Sequence, residues 1–171
     1  HQLRQLGFYS NSVQMPIQDE LSQKLGEMSG YTDHELFLCN SGAEAIENAL
    51  KVASFHTKRS KTIVFENAFH GRTSLAVTAT DTNKLIAPIN QNDRFIRVKL
   101  NDLEGVAQCL DASVAAVLIE GIQGVGGIQM PDDTFIMELK VLCNQNGSVL
   151  ILDEIVRGYG RAGKWVAHKS T

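Results

Sequence analysis

The sequence contains little of what marks several large classes of protein. Its 171 residues include only 3 cysteines, an odd number with no C-x-x-C spacing. A disulfide framework is therefore not indicated, and reduced, mostly buried thiols in a cytoplasmic protein are expected at Cys39, Cys109 and Cys143. Cysteine and histidine are nowhere grouped at metal-ligand spacing, so no metal site is predicted.

Charge of one sign and long apolar runs are also scarce. The formal net charge is -3 and the sequence pI is about 5.9, which gives no basic surface for nucleic acid or an anionic membrane. The apolar runs are far shorter than the roughly 20 residues that span a bilayer, and no charged-then-apolar signal sequence opens the chain. With 43% hydrophobic residues, one domain with a real core is expected. The start at His1 suggests a piece of a longer protein.

What the sequence does contain is an alternation of short apolar runs and helical patterns. The run at 149–152 is too short for a buried helix and suits a central parallel strand, and Asp153 and Glu154 follow it directly. Repeated β-α units predict an α/β fold with a mostly parallel sheet and helices on both faces. The predicted strands are 35–39, 62–66, 93–100, 114–120 and 149–152, and the predicted helices are 16–29, 40–51, 74–80, 102–110 and 133–146.

Loops that follow strands are candidate ligand sites, because open α/β sheets bind ligands at the carboxyl ends of their strands. Ser41, Gly42 and Ala43 open the second helix, and Glu44 lies three residues after Ser41, as a capping box requires. A helix start of this kind is either an anion or phosphate seat or a plain N-terminal cap. Both interpretations stay open on the sequence.

The loop F-H-G-R-T at 69–73 follows the second predicted strand. Phe69 offers a flat face to a ring, and Arg72 is a natural bidentate partner of a carboxylate. Equally, Phe69 suits the core and Arg72 a surface ion pair. A histidine in the position of His70 is more typical of a structural hydrogen bond than of a catalytic base.

Acidic residues end the last two predicted strands. Glu120 closes one, with Gln123 nearby, and the Asp153–Glu154 pair closes the other. A carboxylate beside a protonated ring nitrogen keeps that nitrogen charged. The alternative is that one of these acids caps a helix or pairs with an arginine such as Arg157 or Arg161.

The glycines at 158–163 resemble two nucleotide-binding patterns, G-x-G-x-x-G and G-x-x-x-x-G-K-[ST]. Trp165 stands where the second pattern needs the Ser or Thr that holds Mg²⁺. The glycines also follow the acidic strand instead of the first strand of the sheet. A nucleotide site is therefore not favoured.

Four motifs together resemble those of one known family. They are N-S-G-A-E-A-I-E-N-A-L-K at 40–51, F-H-G-R-T at 69–73, L-I-E-G-I-Q-G-V-G-G at 118–127 and L-I-L-D-E-I at 150–155, and Y-S-N at 9–11 and G-Y-G-R at 158–161 also fit. Their order and spacing resemble the class III pyridoxal-phosphate aminotransferases, most closely the acetylornithine/ornithine branch. The resemblance implies a fold-type I enzyme, with this chain as part of its large cofactor-binding domain.

The resemblance also implies cofactor-binding roles. Ser41, Gly42 and Ala43 match the residues that hold the phosphate of pyridoxal 5'-phosphate (PLP). Phe69 matches the ring that stacks on the pyridine. Asp153 matches the catalytic acid that pairs with the pyridine nitrogen and keeps it protonated, so that the ring acts as an electron sink.

Two further roles and two departures follow from the same resemblance. Arg72 matches the residue that binds a substrate carboxylate, and Glu120 the family's acid near the cofactor. The family usually has Gln where this chain has Val156, and Val cannot donate a hydrogen bond to the cofactor's 3-hydroxyl. Many members have Glu where this chain has Val125, and that Glu pairs with a second carboxylate-binding arginine.

The family's catalytic lysine lies on a strand downstream of the aspartate, and the sequence ends before that strand. Lys164 and Lys169 are too close to Asp153 in sequence to replace it. We therefore expect residues 1–171 to be a partial large domain without the N-terminal segment, the lysine strand and the C-terminal small domain.

The resemblance implies a homodimeric cytoplasmic enzyme of arginine and ornithine metabolism. It would move an amino group between an ω-amino donor, N-acetylornithine or ornithine, and 2-oxoglutarate. Because the lysine is lacking, the 171-residue chain alone is expected to be inactive. The alternative is a truncated or decayed relative that serves as a non-catalytic binding or scaffold piece.

Overall fold

A computed structural model describes residues 4, 7, 10, 12–132, 134–166 and 168. The chain forms two compact units, residues 1–39 and residues 40–171. Tyr9 and Asn11, part of the predicted Y-S-N motif, and Lys169 lie outside the described residues. The prediction that the chain is a partial large domain stays a prediction.

The first unit contains one described α-helix, α1, at Pro16–Ser29. Pro16 starts it and Gly30 ends it with a φ of 76°, and the Gly30 N–H bonds to the Gly26 carbonyl, so the predicted helix is confirmed. The strand predicted at 35–39 is wrong, because the segment is irregular. Its apolar run is not buried, since Phe37 is 59% exposed, whereas a strand of a covered sheet has its apolar residues buried.

The second unit alternates helices and strands as predicted. Every helix and strand predicted after residue 40 is present, although the second helix runs six residues further than expected and the strand predicted at 93–100 is shorter. A short 3-10 helix at Pro88–Asn90 was not predicted. In chain order the elements are α2 (Gly42–Thr57), β1 (Lys61–Phe65), α3 (Ser74–Ala79), β2 (Phe95–Val98), α4 (Leu103–Cys109), β3 (Val114–Glu120), α5 (Phe135–Asn146) and β4 (Val149–Asp153).

The four strands form one sheet in the order β2-β1-β3-β4, and each neighbouring pair is parallel. All seven residues of β3 are buried, as expected for an inner strand of a sheet covered on both faces. The predicted α/β fold with a parallel sheet is confirmed. All four strands have their carboxyl ends at the same edge, which collects the loops predicted to carry the site.

Apolar side chains pack against both faces of the sheet. On one face Phe65 meets Phe135 of α5 edge-to-face, with ring centroids 5.8 Å apart. On the other face Ile46 and Leu50 of α2 pack with Leu118. Burial of these side chains stabilises the layers by about 25 cal/mol per Å² of apolar surface removed from water.

The three cysteines differ in burial, whereas the sequence suggested that most of them would be buried. Cys143 is buried in the core, and burial raises the pKa of its thiol to about 11. Cys39 is exposed, which contradicts the expectation of mostly buried thiols.

Among the described residues, no helix is long and apolar enough to cross a membrane, and no group of three His, Cys, Asp or Glu side chains is placed to hold a metal ion.

Candidate active site

The carboxyl edge of the sheet brings Glu120 and Asp153 side by side, because β3 and β4 pair with these two residues in register. The chain runs from β1 outward to β2 and then back to β3 on the other side of β1. The crevice above the carboxyl ends of β1 and β3 is therefore a topological switch point, where ligands bind in open α/β sheets. The structure thus places the predicted acidic residues beside a natural ligand crevice.

The loop that follows β1 crosses this crevice. The Phe69 N–H donates a hydrogen bond to Glu120 Oε2 at 3.0 Å. The Gln123 side chain Nε2 donates to the Glu66 carbonyl at 2.9 Å. These two bonds tie the loop after β1 to the end of β3, so Phe69 has a fixed position beside the acid.

The closest side-chain contact in the crevice joins His70 and Asp153. His70 Nδ1 lies 2.7 Å from Asp153 Oδ2, and both residues are buried. Because the carboxylate accepts, Nδ1 carries the hydrogen. The Ile155 N–H donates to the other oxygen, Asp153 Oδ1, at 3.0 Å. The carboxylate is held at both oxygens, and a carboxylate has about four acceptor sites, so it retains capacity for a further donor.

His70 was predicted only as a structural residue, and the structure shows what it holds. Its backbone N–H donates to Thr80 Oγ1 at 2.9 Å, and its imidazole Nε2 is buried with no partner among the described residues. His70 and Asp153 are 83 positions apart along the chain, which explains why the pair could not be recognised from the sequence. The nearest signal was a polar residue next to Phe69 in a loop at the carboxyl edge.

Arg97 of β2, which lies outside the crevice, also fixes the loop after β1. Arg97 Nη2 donates to the Thr78 and Thr80 carbonyls, each at 2.6 Å, at the end of α3. Its Nε lies 3.3 Å from Asp81 Oδ1, and Asp81 Oδ2 accepts the Asn67 N–H at 2.7 Å. A cation at a helix C-terminus is favourable, and here it also anchors the start of the loop.

Two glycines bring three segments into close contact. Gly71 has a φ of 130°, which L side chains rarely adopt, and a Cβ there would lie 2.9 Å from Ala43 Cβ. A Cβ at Gly42 would lie 2.7 Å from Ile155 Cγ2. The start of α2, the loop after β1 and the turn after β4 therefore meet at one place.

The start of α2 is capped as predicted. Ser41 Oγ accepts the Glu44 N–H at 3.2 Å. Glu44 Oε2 accepts the Asn40 N–H at 2.6 Å, one residue before the position of a standard capping box. The first-turn N–H groups of Gly42 and Ala43 have no partner inside the helix. The cap and the anion seat are therefore compatible, since Ser41 uses only one of the available N–H groups.

A cavity of about 210 Å³ opens where these segments meet. Ser41, Arg72 and Glu120 do not line it, although Glu120 bonds to the Phe69 backbone. A larger cavity of about 760 Å³ lies along α2 and shares no lining residue with the smaller cavity. The smaller cavity is lined by Gly42, Ala43, Phe69, His70, Gly71, Asp153, Ile155 and Val156.

The structure shows the surroundings of three residues for which the sequence left alternatives open. Phe69 is half-buried at the cavity and is not a core residue. Arg72 is exposed, its guanidinium lies 5.9 Å from the Phe69 ring centroid, and it forms no ion pair with any residue that the structure describes. Glu154 Oε1 lies 2.8 Å from His168 Nδ1.

Burial raises the pKa of Glu120 above its ordinary value. The Phe69 N–H and the nearby His70 act in the opposite direction, and the charge of Asp153 adds to the rise. Desolvation is the largest of these effects. A proton is therefore held more tightly at Glu120 than at an exposed glutamate.

Comparison with known proteins identifies the family. The model of the family "Aminotransferase class-III" matches residues 1–171. The chain belongs to the class-III aminotransferase family. The predicted resemblance to this family, including its acetylornithine/ornithine branch, is confirmed by the relatives described next.

Two curated relatives are acetylornithine aminotransferases. The protein from Methanosarcina acetivorans is 36% identical over 160 residues, which are 91% of this chain and 40% of that protein. The protein from Bacillus anthracis is 37% identical over 171 residues, which are 98% of this chain and 43% of that protein. The chain therefore spans about two fifths of the length of these relatives.

A solved ornithine aminotransferase from Toxoplasma gondii has the same fold. It superposes with a TM-score of 0.86 at 29% identity, covering 98% of this chain and 41% of that chain, and PLP partially occupies the active site of that structure. The predicted fold-type I architecture is thereby confirmed.

The residues of the cavity fit PLP, the cofactor that the family implies. The start of α2 offers N–H groups to a phosphate. Phe69 supplies an aromatic wall, and the buried Asp153 supplies a carboxylate with remaining acceptor capacity. None of the residues lining the cavity is a lysine.

Proposed function

We propose that the protein containing this chain is a PLP-dependent aminotransferase that moves an amino group between an ω-amino donor and 2-oxoglutarate. The proposed donor is N-acetylornithine or ornithine, because the relatives named above are acetylornithine and ornithine aminotransferases. One observation carries the proposal. The buried His70–Asp153 pair lies at the carboxyl edge of the sheet, in the same cavity as Phe69 and the start of α2.

In this proposal Gly42 and Ala43 would bind the cofactor phosphate with Ser41, Phe69 would pack against the ring, and Asp153 would accept the hydrogen of the ring nitrogen. PLP, when bound, supplies an electron sink for negative charge that develops on the substrate carbon. The role of Asp153 would be to place a carboxylate beside the ring nitrogen, since a nearby carboxylate favours the protonated form of that nitrogen. His70 holds that carboxylate in place through Nδ1.

Arg72 is proposed to bind a substrate carboxylate. Arg72 is exposed in the loop after β1, and its guanidinium lies beside the Phe69 ring. A guanidinium binds a carboxylate through two parallel hydrogen bonds. This would orient the substrate relative to the cavity. Glu120 is proposed to act near the cofactor by fixing the Phe69 backbone.

The substrates test the proposed activity directly. We expect the full-length protein with PLP to form glutamate from 2-oxoglutarate when N-acetylornithine or ornithine is supplied. In Arg72→Ala, the KM of the carboxylate substrate should rise about tenfold to a hundredfold, since a hydrogen bond to a charged group contributes about 1.5–3 kcal/mol.

Arg94→Ala serves as the matched control, because Arg94 is exposed immediately before β2, at the opposite edge of the sheet. Its KM should stay within about twofold of the parent. An unchanged KM in Arg72→Ala would remove Arg72 from this role. Absence of glutamate formation with both donors would contradict the proposed activity.

A homodimer is part of the proposal, as the family resemblance implies.

The competing function is a non-catalytic binding or scaffold protein. Val156 favours it, because it lines the cavity where the family usually has a polar Gln. A full-length protein that binds PLP without forming a borohydride-stable adduct at one lysine would support the scaffold.

A further inference from the structure

Arg157 lies in the turn that follows β4, four residues after Asp153. Its guanidinium packs against Gly124 in the loop after β3. The Nη2 and Nε atoms lie 3.0 Å and 3.5 Å from the position that a Cβ at Gly124 would take. The side chain therefore reaches from one loop of the carboxyl edge to the next, and Gly124 leaves the room for it.

Among the described residues, no carboxylate pairs with this guanidinium. Within the described ranges, Arg157 makes no hydrogen bond or ion pair, and its Nε is buried without an acceptor. A buried donor without an acceptor is uncommon in native structures and calls for an explanation. Val125, the neighbour of Gly124, is neutral and 69% exposed, so it provides no counter-charge.

The carboxylates at this edge have other partners. Glu120 accepts the Phe69 N–H, and Glu154 accepts from the His168 backbone and side chain. Asp153 is bonded to His70. Arg157 thus lies at the carboxyl edge against the loop after β3, while each of these three acids is held by a different group. An arriving carboxylate would meet an uncompensated guanidinium, which is its best protein partner.

We propose that Arg157 binds the second carboxylate of a dicarboxylate substrate whose first carboxylate binds Arg72. The proposal rests on the proposed function, and it gives the dicarboxylate acceptor of that function a second contact. Arg72 follows β1 and Arg157 follows β4, two strand spacings apart, or about 10 Å. Two long arginine side chains at the same edge are suited to the two ends of a five-carbon diacid.

Binding of glutarate, an unreactive five-carbon dicarboxylate, tests this inference. Titration calorimetry on the full-length protein with PLP would give its Kd. In Arg157→Gln we expect the Kd to rise about tenfold to a hundredfold, because a charge-assisted bidentate contact is lost. Arg157→Lys, which keeps the charge but not the fork, should give a smaller rise. Butyrate, which has one carboxylate, should bind Arg157→Gln and the parent equally.

Arg161→Gln is the matched control, since it removes the same charge from an exposed side chain of the same turn. Its Kd for glutarate should stay within about twofold, provided that the melting temperatures of all variants match. Equal glutarate affinity of Arg157→Gln and the parent would overturn the inference, as would equal weakening in Arg157→Gln and Arg161→Gln. Absence of amino transfer would instead contradict the proposed function, and the glutarate measurement remains valid without turnover.

Discussion

At the scale of single residues, environment separates three acids that look similar in sequence. Asp153 is buried and held by His70 and the Ile155 N–H. Its neighbour Glu154 turns to His168. Glu120 is buried beside Phe69, where desolvation raises its pKa. The three carboxylates therefore differ in what they can do, because each meets a different set of donors and a different amount of water.

The raised pKa of Glu120 predicts a pH dependence of stability. Because the pKa is higher in the folded than in the unfolded chain, the stability linked to this proton is fully present below the unfolded value of about 4.5. It is lost as the pH rises through the folded value. In Glu120→Gln this loss is absent, so its free energy of unfolding should improve relative to the parent between pH 4 and pH 8.

Urea unfolding at both pH values measures this difference. Glu138→Gln, which changes an exposed acid on α5, is the control and should show little relative change with pH. A Glu120→Gln variant that loses stability relative to the parent as the pH rises would contradict the predicted sign.

At the scale of elements, α2 combines packing with ligand binding. Its side chains Ile46 and Leu50 are buried against the sheet, while its first turn faces the cavity. The cap at Ser41 fixes where the helix begins, and therefore where the Gly42 and Ala43 N–H groups lie. The same residue thus contributes to helix stability and to the geometry of the proposed phosphate site.

Removing the cap should have two effects. Ser41→Ala is expected to lower the free energy of unfolding of the full-length protein by about 1 kcal/mol, the usual contribution of an N-cap, and to weaken PLP binding. Asp102→Ala is the matched control, because Asp102 Oδ1 caps α4 by accepting the Gly105 N–H at 2.8 Å.

The control should lose a similar stability without weakening PLP binding, measured by absorbance titration. If both variants weakened PLP binding equally, the effect would be one of general stability, and the phosphate role of Ser41 would be wrong.

At the scale of the whole molecule, the relevant facts are the open sheet edge and the length of the relatives. The chain spans about two fifths of the curated relatives. Strand β4, which carries Asp153, lies at one edge of the described sheet. A sheet edge exposes unpaired backbone groups to further pairing. The site as described has its acid, its aromatic wall and its helix start, but no lysine lines the cavity.

We therefore predict that the 171-residue chain alone does not transfer amino groups. Incubation with PLP followed by borohydride reduction should give no stoichiometric adduct at a single lysine, as read by peptide mass spectrometry. The full-length protein under the same conditions is the positive control. Turnover of N-acetylornithine by the 171-residue chain would contradict this prediction.

The sequence by itself determined the order of the elements and the residues that end them. Continuous burial in β3, the glycine stops after α1 and α5, and the cap of α2 follow from local periodicity and local backbone chemistry. The motif loops could also be assigned to the carboxyl edge, because parallel strands place such loops together.

Only the tertiary structure decided which of these groups touch. The His70–Asp153 bond and the contact of Arg157 with Gly124 join residues from different loops. The exposure of Phe37, in the segment wrongly predicted as a strand, was likewise decided by the tertiary structure. Local sequence sets backbone conformation and burial, whereas these contacts depend on strand order, register and the room left by glycines, which are properties of the packed sheet.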